Sequence, residues 1–215
     1  DATDINFTEA FTISGTVTDA DNEPLPGVTI SNGAGITDVT DVNGEYTLTS
    51  VVTGDYTVTA TLAGRTFTPA AIEVSVGPNA TDISFTEATF TISGTVTDAT
   101  NAPLEGVTVS NGAGITDVTD TNGEYTLTGM VSGTYTVTAA LTGWMLGPTA
   151  IEVTVGPDAT GIDFTEAFTI SGTVTTVDND PLSGVTISNG AGNIAVTDSN
   201  GVDTLTHVVP GTYTV

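Results

Sequence analysis

The chain repeats itself, and a repeat restricts the possible folds more than any composition can. "SGTVT" begins at Ser14, Ser93 and Ser171, a period of 79 and then 78 residues. The same spacing carries a Pro-Leu turn at Pro24, Pro103 and Pro181, the string "SNGAG" at Ser31, Ser110 and Ser188, and a Gly-x-Tyr-x-Val segment at Gly54, Gly133 and Gly211. Self-similarity of this kind means one structural unit copied along the chain. Residues 11–88 and 89–167 are two full copies. Residues 168–215 follow a third as far as "GTYTV", with no counterpart of Thr59–Phe85. Residues 1–10, "DATDINFTEA", resemble the end of a copy, as in "NATDISFTEA" and "DATGIDFTEA". They read as the closing strand of a preceding repeat or as a donor strand, with Ile5 and Phe7 as its core positions.

Inside a copy, apolar residues alternate with Thr, Ser, Asp and Glu: Phe11, Ile13 and Val17; Tyr46 and Leu48; Tyr56, Val58, Ala60 and Leu62; Ile72, Val74 and Val76; Ile83 and Phe85. A period of two is that of strands with one buried and one wet face. Threonine, roughly a fifth of the chain, suits a pleated surface through its β-branch and keeps the outer face hydrated. Turn strings such as "DNEPLPG", "SNGAG" and "DVNGE" separate the strands at the spacing of an all-β sandwich, and no helical period is present. Each copy is therefore expected to be an antiparallel β-sandwich of about seven strands. The junctions "SFTEATFTIS" and "DFTEAFTIS" contain no flexible spacer. Thr89 is an extra residue in the first of them, and one residue reverses the faces of a strand, so a twist or bulge is expected there.

The segment "ISGTVTDADNEPLPGVTISNGAGITDVTDVNGEYTLTSVVTGDYTVTAT" resembles the carboxypeptidase regulatory-like domain: a Gly-x-Val strand, a Pro-Leu-x-Gly turn, an Asp-x-Asn-Gly-x-Tyr hairpin and a Gly-x-Tyr-x-Val strand. The resemblance covers both complete copies and the start of the third. It implies a transthyretin-like or immunoglobulin-like sandwich, tandem in secreted and surface proteins and without catalytic residues of its own. Peptidase activity in such enzymes belongs to a separate zinc domain. Surface repeats of the collagen-adhesin B type, similar in outline, are locked by a Lys–Asn isopeptide bond, and a chain without Lys cannot form one.

Charge excludes other classes. Twenty-six acidic residues face one basic residue, Arg65, for a formal net charge of −25. Nucleic acid, which is gripped through clustered Lys and Arg, is excluded as a partner, and trypsin has a single site. Such a chain repels itself until salt or cations screen it. Without cysteine there is neither a disulfide nor a thiolate site, and no apolar run reaches the ~18 residues of a membrane span.

Candidate chemistry is sparse. Asp38, Asp41, Asn43 and Glu45, repeated as Asp117, Asp120, Asn122 and Glu124, surround one tight turn with hard oxygen ligands of the kind calcium takes. The same "D-x-N-G" string is also a hairpin signal in its own right. The third copy keeps only Asp198 and Asn200, with Ala195 and Val202 in the other places. No cofactor is required; calcium is the one candidate. Asn6 and Asn79 head Asn-x-Thr sequons. His207 stands where the other copies have Ser50 and Gly129 and reads as incidental. Trp144 replaces Arg65 and reads either as a cap on the core or as a contact for a carbohydrate or protein partner.

These features lead to the expectation of a non-catalytic extracellular or cell-surface structural protein: a rod of tandem sandwiches in a stalk or filament. Its partners are copies of itself, head to tail, or adjacent repeats of a longer chain. Head-to-tail joining by strand addition would leave the strand equivalent to Ile72–Val76 unsupplied in the third copy. Two alternatives stand beside it: an adhesin-type module binding carbohydrate or protein, and accessory domains of a larger secreted hydrolase.

Overall fold

The computed structural model describes residues 8–215. Ile5, Asn6 and Phe7 lie outside the described residues. The chain divides into two compact units, one of residues 1–90 with 129–133 and 155–157, the other of 91–128, 134–154 and 158–215.

The first copy has eight strands: β1 (Phe11–Thr18), β2 (Thr29–Ser31), β3 (Thr37–Val39), β4 (Glu45–Val51), β5 (Gly54–Thr61), β6 (Phe67–Thr68), β7 (Ile72–Val76) and β8 (Phe85–Glu87). They form two sheets, ordered β4-β1-β8-β6 and β3-β2-β5-β7. The count exceeds the expected seven by the two-residue β6. One pairing departs from an antiparallel sandwich: β8 lies parallel to β1, with Val17 opposite Phe85, and antiparallel to β6. The closing strand therefore fills a slot between the first strand and β6.

The second copy repeats this with β9 (Phe90–Thr97), β10 (Thr108–Ser110), β11 (Thr116–Val118), β12 (Glu124–Met130), β13 (Gly133–Ala140), β14 (Leu146–Gly147), β15 (Ile151–Val155) and β16 (Phe164–Glu166). Its sheets are ordered β12-β9-β16-β14 and β11-β10-β13-β15. The third copy contributes β17 (Phe168–Thr173), β18 (Thr186–Ser188), β19 (Ile194–Val196) and β20 (Val202–Val208), paired as β17-β20 and β18-β19.

Part of the alternation read from the sequence becomes the core: Phe11, Tyr56, Ala60, Leu62, Ile72 and Ile83 are only partly buried, and Val28, Ile30, Val51 and Phe67, not read from it, are buried. Ile13, Val17, Val28, Ile30, Tyr46, Leu48, Val51, Val58, Phe67, Val74, Val76 and Phe85 pack together between the sheets of the first copy. Their counterparts Ile92, Val96, Val107, Val109, Tyr125, Leu127, Met130, Val137, Leu146, Val153, Val155 and Phe164 are all buried as well. In the third copy Leu205 and Val208 are buried, whereas Ile170, Val174, Val185 and Ile187 are half-buried.

The extra residue Thr89 falls between β8 and β9, in a two-residue link with Ala88, and is exposed. Both strands end before it, so no bulge forms. The bulge lies elsewhere, in β4: Ile13 pairs with Leu48 but Phe11 pairs with Val51, leaving one residue over. Ser50 takes φ of +62° there, Gly129 +73° and His207 +55° in the other copies, the left-handed geometry that one extra residue demands.

Candidate functional site

The acidic hairpin is built by its own backbone. Asp41 Oδ1 accepts the N–H groups of Asn43 at 2.8 Å and Glu45 at 2.9 Å, and the Asp41 carbonyl accepts Gly44 N–H at 3.0 Å. Gly44 is needed at φ +71°, because a Cβ there would meet the Val17 carbonyl oxygen at 2.4 Å. Asp38 acts differently. Its Oδ1 accepts Val39 N–H and its Oδ2 accepts Thr47 N–H at 2.7 Å, tying β3 of one sheet to β4 of the other. Asp117 and Asp120 repeat both arrangements, the latter with Asn122 and Glu124. The aspartate carboxylates thus face different backbone donors. Among the described residues no three Asp, Glu or His side chains gather around a point where a metal ion could sit. The same bonds set the electrostatics: the N–H of Glu124, foremost, holds the Asp120 carboxyl below its ordinary value, and that of Val202 does so for Asp198.

Asn79 is exposed, and its Oδ1 accepts the N–H of Thr12 at 2.9 Å; Asp158 does the same for Thr91 in the second copy. The closing segment is held further by Tyr46, whose hydroxyl donates to the Ile83 carbonyl, and by Tyr125, which donates to that of Ile162. Burial pushes both phenols above the usual tyrosine value. Gly15, opposite Tyr46 in the ladder, admits the same segment, since a Cβ on it would stand 2.0 Å from the Ile83 oxygen. Ile83 and Phe85, the counterparts of Ile5 and Phe7, are half-buried and buried.

Each complete copy also carries an open groove beside the turn that precedes its two-residue strand. In the first copy it measures about 580 Å³, and its lining includes Ala63, Ala70 and Arg65. Arg65 forms an ion pair with Glu87, which is only 3% exposed. In the second copy the groove measures about 600 Å³, and its lining includes Trp144, Met145 and, from the third copy, His207. Trp144 is 40% exposed, so it does not cap the core. In the sequence His207 and Trp144 stand far apart, and only the fold places them on one groove. The available signal was that both depart from the repeat.

Residues 12–86 and 91–165 each match the carboxypeptidase regulatory-like domain. Chitinase ChiA of Flavobacterium johnsoniae is 33% identical over an alignment of 169 residues that covers 74% of this chain and 11% of that protein. Among solved structures, the Bacillus anthracis TIE protein is similar at 19% identity over 92% of this chain and 44% of that one, with a TM-score of 0.46. BcpA, the major pilin subunit of Bacillus cereus, is similar at 12% identity over 95% of this chain and 87% of that one, with a TM-score of 0.34. The chain spans about a tenth of the chitinase it matches.

Proposed function

This chain belongs to the carboxypeptidase regulatory-like domain family, and on that footing we propose that it is a non-catalytic structural protein of the cell surface or extracellular space, its tandem sandwiches forming a stalk or filament. One observation carries the reading: two successive copies reproduce the same twelve-position core and the same two sheet orders, joined by only Ala88 and Thr89. A two-residue link reaches about 7 Å when extended, too little for a free tether. Threonine-rich, acidic faces around that core supply solubility. Electron microscopy of the purified protein tests the reading: elongated particles or fibres of regular repeat are expected, and compact isolated particles at every concentration would refute it.

Head-to-tail joining by strand addition is the finer form of this reading. A donor carrying Ile5 and Phe7 would lie parallel beside β17 of the next copy, as β8 lies beside β1. Gly172 occupies the position of Gly15, and a Cβ on it would meet the Asp203 carboxylate oxygen at 3.3 Å. A Gly172→Ala substitution is expected to shorten or abolish fibres while leaving the melting temperature nearly unchanged; fibres of undiminished length would rule the joint out.

The similarity to a chitinase segment supports a second reading, in which these repeats are an accessory part of a secreted hydrolase. The intact mass of the polypeptide from its native source separates the two, because a hydrolase requires a catalytic domain in addition to these residues.

A further inference from the structure

We propose that the groove beside Trp144 binds an uncharged carbohydrate, one or two sugar rings stacked on the indole and held by surrounding hydroxyls. The inference is independent of the filament reading and goes beyond it.

The two grooves are the same place in two copies, so they can be compared position by position. Where the first has Ala63, Arg65, Thr66 and Ala70, the second has Thr142, Trp144, Met145 and Thr149. The buried core, by contrast, changes only from one apolar side chain to another, as in Ile30 to Val109 or Phe67 to Leu146. Departures from the repeat also occur elsewhere on the surface, as in Asp21 to Thr100 and Asp82 to Gly161, but those in the groove, which include the loss of the Thr61 hydroxyl to Ala140, change its chemistry from cationic to aromatic. The chain's one tryptophan and one histidine meet there. His207 arrives on the bulge of β20 at φ +55°, and a bulge re-aims the side chain it carries.

The lining specifies the occupant. A partly exposed indole offers a flat apolar face, which matches the C–H face of a pyranose ring. Thr108, Thr142 and Thr149 offer hydroxyls that both donate and accept, as sugar hydroxyls do, and His207 adds an imidazole. Among the described residues, no Asp, Glu, Lys or Arg lines the groove. Arg65, the counterpart of Trp144, is paired with Glu87; in the second copy the corresponding Glu166 accepts the N–H of Ala99 at 3.1 Å. A cationic ligand finds no carboxylate in the lining, and the net charge of −25 repels an anionic one. The volume lies within the range of small-ligand sites, about 300–1,000 Å³.

Because Trp144 is the one tryptophan, fluorescence excited at the red edge of its absorption, where the five tyrosines do not absorb, reports on this groove. The probes are maltotriose, cellotriose, mannotriose and N-acetylated chitotriose, with trigalacturonate as the anionic control. A saturable change in intensity or wavelength is expected with at least one neutral trisaccharide and none with trigalacturonate. Calorimetry with that trisaccharide is expected to show no binding to Trp144→Arg, which installs the first copy's residue. His207→Ser, again a residue already tolerated at that bulge, is expected to weaken binding about fivefold, the share of one hydrogen bond. Melting temperatures of both variants near that of the parent confirm that they fold. No saturable change with any neutral trisaccharide, binding that survives Trp144→Arg, or preference for trigalacturonate would overturn the proposal and leave the structural reading untouched.

Discussion

Asp120 shows how a surface carboxylate acts on the backbone around it. Its pKa is held below the ordinary 3.8 because the charged form accepts the turn's N–H groups. Stability from such a group is present above the ordinary value and is lost as pH falls through the depressed one. Asp120→Asn keeps an acceptor oxygen but no titrating charge. The stability gap between parent and variant, measured by urea denaturation, is expected to be full at neutral pH and to close below pH 3.8. Arg65 is a second residue with one clear role. It is 39% exposed while its partner Glu87 is buried, and Glu87 Oε1 has no partner. Removing Arg65 leaves a buried carboxylate alone, so Arg65→Ala is expected to destabilise by about 1–3 kcal/mol in thermal or chemical unfolding. The buried Asn32 was legible only as part of the turn string "SNGAG", and the role of the buried Thr40 was not legible at all. Asn32 accepts the N–H groups of Ala34 and Ile36, and Thr40 accepts from Val28 and donates to Leu25. Such roles depend on what surrounds a side chain, which a one-letter string does not show.

Among the strands, the closing one decides whether a copy is whole. Its slot exists because Gly15 and Gly94 have no side chain: a Cβ on Gly94 would meet the Ile162 oxygen at 2.1 Å. The obstacle is backbone, which cannot swing aside. Gly94→Ala is expected to destabilise by about 1–3 kcal/mol or more, read as lowered melting temperature and as faster amide exchange in Ile162–Glu166. The alternation of Ile83 and Phe85 announced a strand with a buried face. It did not announce a parallel neighbour, since pairing direction leaves no mark on the periodicity of a single strand. The extra Thr89 illustrates the same limit. A phase shift in the pattern looked like a bulge, but both flanking strands end beside it and the residue is spent in the link.

For the protein in its entirety, charge is the dominant variable. A net charge of −25 destabilises the folded chain by self-repulsion, and salt shortens the reach of that repulsion to about 10 Å at 0.1 M. The melting temperature is therefore expected to rise with sodium chloride. Because the Asp38 and Asp41 carboxylates accept backbone N–H groups, calcium at matched ionic strength is expected to add nothing beyond magnesium and to give no saturable heat; a specific calcium increment would support the metal reading of Asp38, Asp41, Asn43 and Glu45. Trypsin supplies a further check. Its one site, Arg65, is exposed but tied by its side chain to Glu87 and by its N–H to the Leu62 carbonyl, so the folded protein is expected to be cut more slowly on a gel than the unfolded chain.

Spacing and composition were enough to establish the repeat, the strand periodicity, the core positions on the alternating strands and the absence of thiol and lysine chemistry, but not the core positions Val28, Ile30, Val51 and Phe67, which stand beside turns or at strand ends. Those properties are local or additive, so a linear string carries them. Three others came from the fold: β8 runs parallel to β1, the aspartates of the hairpin face different backbone donors, and Trp144 and His207, 63 positions apart in the sequence, line one groove. Each of those depends on which strands lie beside one another, and a chain encodes that through packing across long separations rather than through any pattern within one segment.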